Sequence, residues 1–126
     1  DEGDIALQLD EQVVRLIHAP GHTPDSILVY VEDERVLFAA DTVMPVPSIV
    51  DGDIDVYRSS LKKILALSVE NMVQGHGEVI LRGEVDKIVH ISLDYLNTIE
   101  EKVTQLIKED KQKDALREID IESCGL

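Results

Sequence analysis

Two histidines and one aspartate occupy positions at which a folded chain commonly presents side chains to a ligand. His22 follows a Pro-Gly corner, Asp41 ends an apolar run, and His76 lies between two glycines. Neutral imidazole and carboxylate groups are ligands that zinc takes in proteins. Because functional side chains concentrate on turns that a rigid scaffold positions, this set predicts a metal site assembled from distant segments of the chain.

The segments that precede His22 have the pattern of a hairpin followed by a stiff corner. Apolar and polar residues alternate over 5–9, and a second apolar stretch at 13–17 follows a short polar turn. This pattern predicts two paired strands. Pro20 fixes one backbone angle and Gly21 permits angles that other residues avoid, so the chain can bend sharply before His22.

Two further strands are predicted between His22 and Asp41. The segments 26–31 and 36–40 are short and nearly continuous in apolar residues, which predicts interior strands that are covered on both faces. Prolines at 45 and 47 then predict a loop that leads away from Asp41. A brief strand predicted at 72–73 would place His76 in the loop that follows it.

The second half of the chain reads mainly as helix. Asp51-Gly52-Asp53 supplies turn and N-cap residues for a predicted helix. A longer helix follows, and its apolar residues recur at alternating spacings of four and three, which suits either packing on the sheet or contact with another chain. We favour packing on the sheet. The predicted organisation is one α/β domain with its sheet and corner at 4–43, a helix at 54–68, a histidine loop at 72–82, a long helix at 84–108 and a C-terminal helix at 113–121.

These motifs resemble the second half of a metallo-β-lactamase-fold hydrolase, a family that includes glyoxalase-II-like thioesterases. Residues 20–23 resemble the third metal-binding motif of that family, 40–42 its bridging-aspartate motif, and 75–77 its last histidine motif. The three motifs occur in the family order, and the resemblance covers roughly 4–82. The first signature of the family, His-x-His-x-Asp-His, is absent from the sequence.

The resemblance implies a fold and a set of ligands. The implied fold is the C-terminal half of an αββα sandwich, with a mixed β-sheet covered by helices. In the intact parent, His22 would bind one metal ion, Asp41 would bridge two, and His76 would bind the second. Zinc is the default metal, with iron and manganese as alternatives. His18 is then assigned to support or packing, and His90 to a structural role.

The implied reaction is hydrolysis of a small-molecule ester, thioester, lactam or phosphodiester by a metal-bound hydroxide, with Asp41 as the catalytic bridging ligand. The missing signature, and a first residue that is not methionine, lead us to expect a partial domain. Even with Asp41 counted for both ions, each metal position keeps at most two protein ligands, whereas a zinc site usually takes three or four. We therefore expect this chain alone to bind metal weakly or not at all and to have little hydrolase activity. The alternative is a non-catalytic binding or assembly module that forms a homodimer through the apolar faces of half a sandwich.

The composition limits the partners. The chain has 126 residues, with 26 acidic and 12 basic residues and a formal net charge of -14. Such a charge should repel nucleic acid phosphates and anionic membrane surfaces. Cys124 is the only cysteine, and no apolar run approaches the ~20 residues of a membrane span. With no signal-peptide pattern at its start, the chain is expected to be a cytoplasmic protein without membrane or nucleic-acid partners.

Overall fold

In the part of the chain that the structure describes, one five-stranded sheet carries two α-helices. The computed structural model describes residues 3–109, 117 and 119–126. The strands and helices, in chain order, are β1 (Ile5–Leu9), β2 (Gln12–His18), β3 (Ile27–Val31), β4 (Val36–Ala40), α1 (Ile54–Ala66), β5 (Asn71–Gln74) and α2 (Val85–Lys108), followed by a short 3-10 helix at Glu122–Cys124. The two helices and the mixed sheet confirm the predicted α/β class.

The topology of the sheet brings three separate strand ends to one edge. The strands lie in the order in which they occur in the chain, and the three pairs β1–β2, β2–β3 and β3–β4 are antiparallel. The connection through α1 returns the chain so that β5 pairs with β4 in parallel. The carboxyl ends of β2, β4 and β5 therefore meet at the same edge. His22, Asp41 and His76 each follow one of these ends.

Both helices pack against one face of the sheet and share a single core. The side chain of Asp53 caps α1 by accepting hydrogen bonds from Asp55 N and Val56 N, at 2.9 and 3.0 Å. Buried residues of α2 belong to the same cluster as the sheet residues, as expected for a helix that packs on the sheet. The core includes Ile17, Leu28, Tyr30, Leu37 and Met72 from the sheet, Tyr57, Leu61 and Ile64 from α1, and Val85, Val89, Leu93 and Leu96 from α2.

The opposite face of the sheet is apolar but is not buried, so the prediction that β3 and β4 are covered on both faces is wrong for this chain. The paired register places the alternate residues of the five strands on this face. We call this set the open face; it consists of Ile5, Leu7, Leu9, Val14, Leu16, Ile27, Val29, Val31, Val36, Phe38 and Val73. All are exposed or half-buried, and Phe38 near the centre is 46% exposed. An apolar run in the sequence indicates that a strand is suited to burial. It does not indicate whether the residues that cover the strand belong to the same chain or to another chain.

The C-terminal region departs from the prediction where it can be compared. Most of the helix predicted at 113–121 lies outside the described residues. Residues 119–121 are not helical, and the 3-10 helix at Glu122–Cys124 follows them, with Cys124 buried in the core cluster. Neither α1 nor α2 offers a stretch long and apolar enough to cross a bilayer, and the same holds for the rest of the described chain.

Candidate metal centre

The His22 ring is held in one orientation by a backbone carbonyl. Its Nδ1 lies 2.7 Å from Ser48 O. A carbonyl oxygen can only accept a hydrogen bond, so Nδ1 carries a proton and donates it. In its neutral form, such a ring has its lone pair on Nε2, and Nε2 lies 3.7 Å from Asp41 Oδ2. An imidazole lone pair beside a carboxylate oxygen is the arrangement expected when both groups bind the same cation.

An irregular strand end and a buried tyrosine position Asp41. The pairing of β4 with β5 shifts between Phe38 and Ala40, and Ala40 has a φ of 45°, a conformation that few residues other than glycine adopt. The hydroxyl of Tyr57 donates to Thr42 O at 3.0 Å and lies 3.4 Å from Asp41 O. Burial, and then the nearby Asp41 carboxylate, raise the pKa of the Tyr57 hydroxyl above its ordinary value of 10.0. Tyr57 therefore remains a neutral donor beneath the aspartate turn.

His76 approaches the same carboxylate from the opposite side. Its Nε2 lies 3.3 Å from Asp41 Oδ1, and its side chain is 75% exposed. The preceding Gly75 allows this approach, since a Cβ atom there would lie 2.1 Å from Asp41 Oδ1. The amide of Gly75 also donates to Val43 O at 3.0 Å, which ties the histidine loop to the turn that follows Asp41.

The three predicted site residues therefore converge, with one histidine at each oxygen of one carboxylate. Two ligands of a tetrahedral zinc ion with bonds of 2.0–2.1 Å lie about 3.3–3.4 Å apart. The observed separations of 3.3 and 3.7 Å between the Nε2 atoms and the carboxylate oxygens are close to that value. The types of donor and their spacing thus fit one cation beside each oxygen, with Asp41 shared between the two.

The three converging side chains do not form a complete metal coordination shell. Among residues 3–109, 117 and 119–126, no group of three or more His, Cys, Asp and Glu side chains is arranged to hold a metal ion. The reason lies in the geometry, because His22 and His76 occupy opposite sides of Asp41 and each cation position would have two protein donors. A closed zinc site takes four. Within the described residues, the arrangement provides part of two sites and the whole of neither.

The two other histidines and Thr23 have hydrogen-bond partners in the described part of the chain, whereas the Thr42 hydroxyl has none. The Nε2 of His18 donates to Pro24 O at 2.8 Å, and His90 Nδ1 donates to Asp86 O within α2. The Thr23 hydroxyl donates to Asp25 Oδ1 at 2.7 Å, and this bond lowers the pKa of the Asp25 carboxyl. In contrast, the buried Thr42 hydroxyl has no hydrogen-bond partner in the described part of the chain. An unpartnered buried hydroxyl beside Asp41 is uncommon in folded proteins.

Sequence reasoning missed two contributors to the site. Tyr57 shares the apolar face of the helix predicted at 54–68, and only its hydroxyl indicates a further role, because a buried tyrosine usually needs a hydrogen-bond partner. The sequence predicts a loop that leads away from Asp41 and a turn with an N-cap at 51–53, but it does not predict that the segment 48–52 returns to His22. No sequence signal marks this contact, because it is made by backbone carbonyl and amide groups.

Comparison with known proteins shows which family and which relatives the chain is similar to. The family model for the metallo-beta-lactamase superfamily matches residues 2–81. A Caenorhabditis elegans protein named Beta-lactamase-like protein 2 homolog is 30% identical over 121 residues, covering 96% of this chain and 39% of that protein. An Atrochrysone carboxyl ACP thioesterase from Aspergillus fumigatus is 34% identical over 67 residues, covering 53% of this chain and 21% of the enzyme.

A solved structure shows the same fold. A metallo-beta-lactamase family protein from Thermus thermophilus superposes with a TM-score of 0.65 and 22% identity, over 81% of this chain and 36% of the other. The chain thus spans well under half of the length of each of these three proteins.

Proposed function

Because the chain belongs to the metallo-beta-lactamase superfamily, we propose that it contributes part of the active site of a metal-dependent hydrolase, with His22, Asp41 and His76 as metal ligands. The observation that carries this proposal is the convergence of two histidine Nε2 atoms on the two oxygens of one carboxylate. A hydrolase-type function is also supported by the thioesterase name of the Aspergillus relative.

Each residue has a defined part in this proposal. His22, fixed by Ser48 O, offers Nε2 to the first cation, and His76 offers its Nε2 to the second. Asp41 bridges the two positions and offsets part of their charge, while Tyr57 holds the turn beneath it. Zinc is the proposed metal, and when bound it would polarise the substrate and lower the pKa of a coordinated water, so that hydroxide is available near neutral pH.

The substrate class follows from the family and one relative rather than from a pocket. We propose a small molecule with an ester, thioester, lactam or phosphodiester bond, and the thioesterase relative makes a thioester the first to test.

The single cysteine, which lies buried in the core, supports a cytoplasmic location because such a chain does not depend on disulfides.

The number of protein ligands determines the expected affinity. Complete structural zinc sites bind with about 10–16 kcal/mol, so a position with half the ligands would supply roughly 5–8 kcal/mol. That corresponds to dissociation constants on the order of 1–200 μM. Hydrolysis by this chain alone should accordingly be weak or undetectable at low micromolar zinc.

Equilibrium dialysis with zinc on the 126-residue chain tests this proposal. We expect saturable binding in the micromolar range that Asp41→Asn abolishes. The control Asp94→Asn, an exposed aspartate on α2, should leave the affinity unchanged. Zinc that remains stoichiometric after treatment with a chelator would contradict an incomplete shell. Equal affinities of Asp41→Asn and the unmodified chain would contradict the ligand set.

The open face favours a second candidate function, that of a binding or assembly module. A sheet face formed by apolar side chains, with Phe38 46% exposed near its centre, is typical of a surface that another sheet covers. In this alternative the chain pairs with a second copy and catalysis is absent. A monomeric mass in solution at micromolar concentration would contradict the homodimer.

A further inference from the structure

The segment 48–52, which we call the clamp segment, forms hydrogen bonds with both the backbone and the ring of His22. Val50 N and Asp51 N donate to His22 O at 3.0 and 3.4 Å. Ser48 O accepts the hydrogen bond of the His22 ring at 2.7 Å. Three hydrogen bonds from one short segment thus restrain a single histidine, and none of them uses a side chain of the clamp segment.

The clamp segment can close on His22 only because residue 52 is glycine. A Cβ atom at Gly52 would lie 1.8 Å from Gly21 O and 2.6 Å from Gly21 C. Real Cβ atoms do not approach other atoms this closely, and backbone atoms cannot rotate away as the end of a side chain can. The contact continues to α1, because a Cβ atom at Gly21 would lie 2.3 Å from the Cα of Tyr57. The backbones of Gly52, Gly21 and Tyr57 are therefore stacked in direct contact.

We propose that Gly52 is a positioning residue of the candidate metal centre. Its missing side chain lets the clamp segment reach His22, and the Ser48 carbonyl then holds the ring as the Nδ1-protonated tautomer with Nε2 directed at Asp41. A ring fixed in this way loses little freedom when it binds a metal, which is the usual advantage of a preorganised ligand. The role in metal binding rests on the proposed function, but the ring orientation itself requires no metal.

The test uses long-range proton–nitrogen NMR spectra of the metal-free chain, recorded at about pH 8, above the ordinary imidazole pKa of about 6.5. In the unmodified chain we expect His22 to show a protonated Nδ1 and an unprotonated Nε2. In Gly52→Ala we expect the clamp segment to be displaced, so that His22 shows nitrogen shifts averaged between the two tautomers. We also expect zinc affinity to fall about tenfold, as when other partners that orient a metal-bound histidine are lost.

Two controls separate positioning from general damage. Ser48→Ala keeps the carbonyl and removes only an exposed side chain, so it should leave the His22 spectrum unchanged. Gly83→Ala places a side chain where φ is +87° and no atom lies within 4 Å, so it should destabilise the fold without altering His22. A change in the His22 tautomer in either control would contradict the assignment to Gly52.

The outcomes distinguish this inference from the proposed function. An unchanged His22 tautomer in a folded Gly52→Ala chain would overturn the role of Gly52. If Gly52→Ala does not fold, the spectrum of the unmodified chain is the test. An Nε2-protonated His22, or a mixture of the two His22 tautomers, in the unmodified chain would overturn the proposed role of the clamp segment. A chain that has the Nδ1-protonated tautomer but never binds zinc would support the clamp and contradict the proposed metal function.

Discussion

At the residue scale, the buried Tyr57 hydroxyl connects the site to the core. It donates to Thr42 O from beneath Asp41, and its side chain is fully buried. If Asp41 bridges two cations as proposed, its carboxylate must be held in place, because small displacements of a ligand weaken coordination. Tyr57 does this without entering the site, and its backbone packs against Gly21 on the other side. One residue therefore supports both His22 and Asp41.

Replacing Tyr57 with phenylalanine should reduce stability and zinc affinity together. The loss leaves the buried Thr42 carbonyl without its donor, which costs about 1–3 kcal/mol. Zinc affinity should fall about tenfold because Asp41 loses its support. Tyr30→Phe is the matched control, because its hydroxyl donates to Ser68 O, away from the site. Chemical denaturation and equilibrium dialysis measure both effects, and equal zinc affinities of the two variants would contradict a positioning role for Tyr57.

The raised pKa of Tyr57 also predicts how stability changes in alkali. Above the ordinary tyrosine value of 10.0, Tyr57 in the unfolded chain loses its proton while the folded protein keeps it. Unfolding then releases a proton, so the free energy of unfolding falls as pH rises above about 10. Tyr57→Phe should show a smaller decrease over this range. Burial raises the pKa of Tyr30 and Tyr95 as well, so part of the decrease should remain.

At the element scale, α1 is the support on which the site is built. Its first turns contact the Pro-Gly corner and the aspartate turn through Tyr57, and Ser60 Oγ donates to Pro20 O at 2.6 Å. Arg58 joins α1 to α2 through hydrogen bonds to Asn97 and Glu100, and it also bonds Asp55 on its own helix. The orientation of α1 on the sheet therefore depends partly on this arginine.

Arg58→Met should loosen the packing of α1 against α2. The side chain of Arg58 is 15% exposed but that of Glu100 is 46% exposed, so solvent weakens the ion pair and we expect a loss of about 1 kcal/mol. Arg82→Met is the control, because the Arg82 side chain is 80% exposed and its pair with Glu70 spans 3.5 Å. The control should change stability by less than about 0.5 kcal/mol in chemical denaturation. Equal losses in both variants would argue against a special role for Arg58.

The hairpin, the short strands and both long helices could be anticipated from the sequence, because periodicity and Pro-Gly corners act locally. The convergence of the three site residues is a long-range feature, and it was expected from their places at strand ends and from the family resemblance. The identity of His22, Asp41 and His76 as ligands stays a prediction. Backbone contacts such as those of Ser48 could not be anticipated, because any residue has a carbonyl. The exposure of the open face could not be predicted either, because the sequence of an apolar strand is the same whether its own chain or another chain covers it.

At the scale of the whole molecule, the open face is the surface on which the proposed self-association depends. Apolar side chains that remain exposed on a sheet lower solubility unless a partner covers them. The net charge of -14 opposes close approach of two copies, while burial of the open face favours it. Added salt screens the repulsion, so self-association should become stronger as ionic strength rises.

Phe38→Lys should prevent pairing through the open face. Phe38 lies opposite Val29 and Val73 in the sheet, so a lysine there would place a charge in the centre of any sheet-on-sheet contact. Ile107→Lys is the control, since Ile107 is an apolar residue that is 68% exposed on α2. Sedimentation equilibrium should give a lower mass for Phe38→Lys than for the control. Equal masses above that of the monomer would show that another surface mediates association.

The most direct test of the metal centre is a zinc titration followed through the side-chain nitrogens of all four histidines. We predict that the Nε2 signals of His22 and His76 shift together as zinc is added, and that both responses disappear in Asp41→Asn. The signals of His18 and His90 should stay constant, because their hydrogen bonds lie outside the site. Shifts of all four histidines to the same extent, or no shift at His22 and His76, would contradict the proposed metal centre.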